Sequence, residues 1–142
     1  MKPTISLCII HCALCVILLS GCGGPEYGYV TGKVLIDGEP AGEGLVVHFQ
    51  PQDKSGSYSA GITDAGGNYE LWFSNTVRGV QLGTSKITVK QQQSEDLPQP
   101  KTLPFLAAFN KDTALVYDVK RGSQTYDVVI DTSVLPVEKK KR

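Results

Sequence analysis

The chain has 142 residues, with 14 Lys+Arg against 14 Asp+Glu, a balance that excludes the basic stripe of a nucleic-acid binder. Fifteen Gly and eight Pro punctuate β-branched runs, the composition of a single all-β domain of short strands and many turns. Residues 1–21 stand apart. One Lys precedes Ile5–Leu19, fifteen residues without a formal charge, and the small pair Ser20-Gly21 follows. That is the order of a secretory signal peptide, and the run falls short of the roughly 20 apolar residues of a spanning helix. Cys8, Cys12, Cys15 and His11 are metal-ligand types. Inside an export segment that is removed, cysteine serves as a small hydrophobe instead.

Cys22 is the last cysteine of the chain, so after loss of residues 1–21 no internal disulfide can form. Leu19-Ser20-Gly21-Cys22 resembles the bacterial lipobox, Leu-(Ala/Ser/Thr)-(Gly/Ala)-Cys, placed directly after an apolar run. The resemblance implies that the Cys22 thiol receives a diacylglycerol with fatty chains such as palmitate. It further implies that a peptidase cuts before Cys22. Residues 22–28, with Gly23-Gly24-Pro25, then form a flexible tether. Two or three acyl chains anchor stably where one does so marginally, at about 0.8 kcal/mol per buried CH₂. The cleaved chain keeps 13 basic against 14 acidic residues, so lipid rather than charge must hold it to the membrane. Gly23, not Asp, follows the modified cysteine. By analogy with diderm bacteria this favours the outer membrane over the inner cell membrane, with the domain on the periplasmic or extracellular side.

Residues 29–132 read as about seven strands. Tyr29–Ile36 leads into the turn Asp37-Gly38-Glu39-Pro40, and residues 44–51 alternate, with Leu45, Val47 and Phe49 on one face and Val46 and His48 on the other. Residues 57–63 and 69–73 flank the turn "DAGGN", which predicts a hairpin. In the second arm Tyr69, Leu71 and Phe73 share one face, and Glu70 and Trp72 the other. Residues 85–90, 114–120 and 125–131 complete the set. Leu115, Tyr117 and Val119, with Tyr126, Val128 and Ile130, line the same interior of two packed sheets. Residues 91–113 break the rhythm, and "LPFLAAF" predicts a short helical turn docked on the sandwich. The tail, residues 133–142, is a basic, solvated end, with contact to anionic lipid or cell-wall polymer as the sharper alternative.

The motifs Val30-x-Gly32-x-Val34, Asp37-Gly38-x-Pro40, Val47-x-Phe49, Thr63-Asp64-x-x-Gly67-x-Tyr69 and Gly83…Ile87-x-Val89 resemble the carboxypeptidase regulatory-like, transthyretin-like domains common on bacterial surface lipoproteins. Leu103-Pro104, Phe109, Thr113, Leu115, Val119 and Gly122 loosely match the continuation seen in planctomycete-type lipoproteins, although that pattern's Lys-Tyr pair is absent. The resemblance spans about residues 29–131. It implies a seven-stranded transthyretin-like (prealbumin-like, Ig-like) β-sandwich without catalysis, serving as a structural or interaction module of the cell envelope.

A relative of that topology, 5-hydroxyisourate hydrolase, has a catalytic His early in its first strand and ends in Tyr-Arg-Gly-Ser. Here Lys33 stands at the histidine's place, and Lys120–Ser123 reads as a hairpin turn between the last two strands. The general base that would activate water is missing. His48 is the only histidine after the signal segment, so His-based triads and zinc sites lack members. Asp37, Glu39, Glu43, Asp53 and Asp64 lie on turns without calcium-loop spacing. No cofactor is called for. Trp72 and Glu70 share an outward face, where an aromatic could stack on a sugar or cover a neighbouring strand. An envelope glycan or protein bound through Trp72 and the 91–113 loop is therefore the alternative to a plain spacer.

Overall fold

A computed structural model describes residues 26–53, 56–93, 103–112 and 114–135. Cys22 with Leu19, Ser20 and Gly21, the signal segment, and the tail from residue 136 lie outside the described residues. The described chain is an all-β sandwich of ten strands with one helix. In chain order these are β1 (Tyr27–Ile36), β2 (Glu39–Pro40), β3 (Leu45–Pro51), β4 (Ser59–Ile62), β5 (Asn68–Glu70), β6 (Val80–Gln81) and β7 (Gly83–Gln91). Then come α1 (Phe105–Asp112), β8 (Val116–Val119), β9 (Gly122–Thr125), β10 (Val128–Ile130) and a 3₁₀ turn at Thr132–Val134.

β1 is the axis of the first sheet. Its antiparallel partners along one side are β6, β5 and β2, and its parallel partners along the other are β9 and β10. Asp37 and Gly38 have φ of 51° and 87°, so the β1–β2 hairpin closes in a two-residue turn with both central residues left-handed, which Asp-Gly favours. The Asp37 carboxylate accepts from the Thr132 amide at 2.8 Å and its hydroxyl at 2.7 Å, and these bonds hold its pKa below the usual value. The second sheet runs β4-β3-β7-β8 and is antiparallel throughout. Alternation places Leu45, Val47 and Phe49 against Val30, Val34, Val128 and Ile130, all buried, while Val46 and His48 are half-buried. Edge-on contacts from Phe49 to Tyr117 and Tyr126, at 6.3 and 6.0 Å, close the core at one end.

Strand count and two connections differ from expectation. The predicted strand 125–131 is split, with Thr125 ending β9 and Val128 opening β10. Both halves keep one register on β1, Thr31 opposite Thr125 and Val34 opposite Val128. Between them the Asp127 side chain accepts the Lys33 amide at 2.9 Å in place of a main-chain oxygen. Lys120–Ser123 is not a hairpin turn, because β8 and β9 belong to different sheets; the chain changes sheets there, with Gly122 at φ 95°. The Asp64–Asn68 turn forms as predicted, the Asp64 carboxylate accepting the Gly66 and Asn68 amides at 2.9 Å. Its two arms then diverge: β4 pairs β3 in one sheet and β5 pairs β1 in the other. They meet again at Ala60 and Trp72, which exchange two main-chain hydrogen bonds of 2.9 Å.

"LPFLAAF" does fold as a docked helix. Leu106 and Phe109 of α1 enter the core, and the Asn110 amide bonds both the N–H (2.9 Å) and C=O (2.7 Å) of Val89. β8 ends its pairing with β7 at Lys86, so Asn110 does for Val89 what a neighbouring strand would. Two buried hydroxyls, on Ser59 and Ser85, have no hydrogen-bond partner among the described residues. An unsatisfied buried hydroxyl costs about 1–3 kcal/mol, so Ser85→Ala is expected to raise stability by about 1 kcal/mol. A higher urea midpoint at unchanged slope checks this; a lower midpoint contradicts it.

Candidate functional site

Glu70 and Trp72 emerge on the same outer side of the chain, as alternation requires, because Leu71 between them is fully buried. Arg78, to which the sequence reading assigned nothing, joins them. The chain turns back at residues 73–77, where Phe73 and Ser74 amides both bond the Val77 carbonyl, and Arg78 returns opposite Trp72. Its guanidinium forms an ion pair with Glu70 and lies 5.9 Å from the centre of the Trp72 ring. The ion pair is largely exposed and contributes to orientation more than to stability.

Two open grooves flank this ridge. One, of about 710 Å³, runs over the outer face of the first sheet and is lined by Lys33, Asp64, Asn68, Glu70, Arg78 and Asp127 among others. The other, of about 650 Å³, is lined by Ser57, Tyr58, Ala60, Trp72, Phe73, Ser74 and Asn75. Tyr58 was not singled out in the sequence. The outward alternation of Tyr58, just before β4, with Ala60 and Ile62 within it was the signal that could have found it. Its ring stacks on His48, with centroids 4.9 Å apart and planes 11° from parallel. Partial burial, and after it the charge of Lys90, hold the His48 imidazole below its ordinary pKa, which favours the neutral ring in this stack.

Of the 91–113 segment, the described helix α1 is not beside Trp72. Trp72 bridges to Ala60 on β4, one edge of the second sheet. α1 lies along the β8 side of β7, toward the other edge. Nor are Lys33 and His48 neighbours in one sheet: Lys33 is on β1 and His48 on β3. Of the turn carboxylates, Asp64 closes its own turn while Asp37 accepts from Thr132, and Asn68 hydrogen bonds hold the Asp64 pKa low. Among the described residues, no three His, Cys, Asp or Glu side chains converge as a metal site. No helix of the described residues is long and apolar enough to cross a membrane. The chain matches no protein-family model and no curated protein sequence.

Proposed function

We propose that the protein is a surface lipoprotein, anchored by a diacylglycerol on Cys22, whose β-sandwich is a non-catalytic structural or interaction module of the cell envelope. The observation that carries this is Leu19-Ser20-Gly21-Cys22 at the end of an uncharged apolar run, with β1 opening at Tyr27. Five residues from Cys22 to Tyr27 reach at most about 18 Å, so the anchor holds that end of the sandwich close to the bilayer. The charges there are paired, Arg121 with Glu26 and Lys120 with Asp118, which supports holding by lipid rather than by charge.

The other end of β1 is where the described chain stops. Ile130 pairs with Ile36, and Leu135 is buried just beyond the Asp37–Thr132 contact. Ten strand residues span about 33 Å. The chain beyond Leu135 therefore leaves the sandwich at the end opposite the anchor, which favours solvent or an envelope polymer over the anchoring lipid for the basic residues that follow. The non-catalytic half of the proposal is supported by Lys33 standing where the hydrolase has its histidine, and by His48 being stacked on Tyr58.

Intact mass of the protein extracted from native membranes tests the proposal. The expected species lacks residues 1–21 and carries a diacylglycerol increment. An unmodified full-length chain overturns it.

A further inference from the structure

We infer that the cleft between Tyr58 and Trp72 is a binding site for an uncharged saccharide chain. Both rings are exposed, 51% and 42%, and both line the same cleft of about 650 Å³, a volume typical of ligand sites. Each ring is braced by a planar polar group. His48 stacks parallel to Tyr58, and Arg78, tied to Glu70, lies over Trp72. Rings held this way present flat apolar faces at little further cost in side-chain entropy, and the C–H faces of pyranose rings pack on such surfaces.

The rest of the lining selects the ligand. Apart from Tyr58, Trp72, Phe73 and Ala60 it offers the Ser57 hydroxyl and the Asn75 amide, with Ser74 accepting the Val77 amide at 3.1 Å and so fixing the turn that carries Asn75. Among the described residues, no carboxylate, ammonium or guanidinium lines the cleft, although the neighbouring groove has both signs of charge. A phosphorylated or acidic ligand would find no counter-charge among them. An amide and a hydroxyl both donate and accept, which matches sugar hydroxyls. A proline-rich chain, the other polymer that docks between aromatics, offers acceptors only. Tyr58 immediately precedes β4, an edge strand, and Trp72 follows β5 and bridges to Ala60 of β4, so the cleft lies at an edge of the sandwich open to a long polymer. The choice of a glycan over other neutral ligands also rests on the envelope location proposed above.

Trp72 is the chain's only tryptophan, so its emission reports on the cleft directly. The full protein in detergent is titrated with cellotetraose, chitotetraose, mannotetraose and decaproline, and affinities are confirmed by calorimetry. At least one saccharide is expected to shift the emission saturably. Tyr58→Ala should weaken that binding at least tenfold with an unfolding midpoint close to the parent's, and Tyr58→Phe should keep it within about twofold, since the ring provides the stacking surface. Unchanged emission with every saccharide, binding by decaproline alone, or parental affinity in Tyr58→Ala overturns the assignment. The Cys22→Ser protein should bind the same sugar equally well. Sugar binding by a protein whose native mass shows no lipid would leave the cleft assigned and remove the anchor.

Discussion

Replacing Cys22 by serine is expected to move the protein from the membrane pellet to the soluble fraction. A serine hydroxyl cannot become the thioether of the proposed diacylglycerol, so on that proposal the whole anchor is lost rather than weakened. One acyl chain gives a partition constant of about 10⁴ M⁻¹, and a second adds roughly 0.8 kcal/mol for each buried CH₂. Loss of both therefore lowers membrane partition by many orders of magnitude. Among the described residues, the basic groups at the anchored end, Arg121 and Lys120, are paired with Glu26 and Asp118 and offer the membrane little free charge in its place. High salt should accordingly leave the parent protein in the pellet, while detergent releases it. Fractionation of cells expressing either form, followed by immunoblotting, reads the result. Cys22→Ser protein that pellets like the parent would mean that something other than lipid holds it.

Gly32→Ala is expected to be the most damaging small substitution in the sandwich. Gly32 sits in the middle of β1, and an added Cβ would lie 1.8 Å from the Tyr126 carbonyl oxygen and 2.9 Å from the Tyr69 hydroxyl. That oxygen is also the acceptor of the Tyr69 hydroxyl, which burial keeps protonated by pushing its pKa well up. A methyl group there must separate β1 from the β9–β10 ribbon and break the Tyr69 bond together. The cost is at least about 3 kcal/mol, a large share of a domain's total of about 5–15. For a domain of this size that lowers the unfolding temperature by about 12 °C or more. Gly38→Ala is the informative contrast. It has open space around it and a φ of 87°, so it meets conformational strain alone, about 1 kcal/mol. Calorimetric melts of the two variants should rank in that order. Equal losses would show that close approach at Gly32 is not what constrains the strand.

The elements were legible where a local rule has one answer. Asp37-Gly38 and Asp64–Asn68 carry turn chemistry within a few residues, and both turns formed. Leu45, Val47 and Phe49 point inward because strand side chains alternate, whatever the sheet. Pairing was not legible, because hydrogen-bond partners lie far away in sequence. Nothing near Asn68 says that β5 joins Thr31–Lys33 rather than returning onto β4. At the break after Thr125, Tyr126 lies over a glycine 94 positions earlier, where its carbonyl meets both Gly32 and Tyr69, and Asp127 takes the Lys33 amide, contacts that no local pattern announces. The candidate site divides the same way. Trp72 and Glu70 sharing a face follows from their spacing. Arg78 beside Trp72, and Tyr58 across the cleft from it, follow from a return turn and from the Ala60–Trp72 bridge between sheets.

By itself, then, the sequence determined an all-β domain, its principal turns and its inward faces, and it supplies the Leu19–Cys22 motif on which the proposed anchor rests. Each depends on neighbours within a few bonds or on a fixed strand period. Only the tertiary structure decided which strands pair, how the chain crosses from one sheet to the other, and which two aromatic rings face a common cleft. Those depend on where distant backbone segments can approach closely enough to bond, a distance set by packing the whole core.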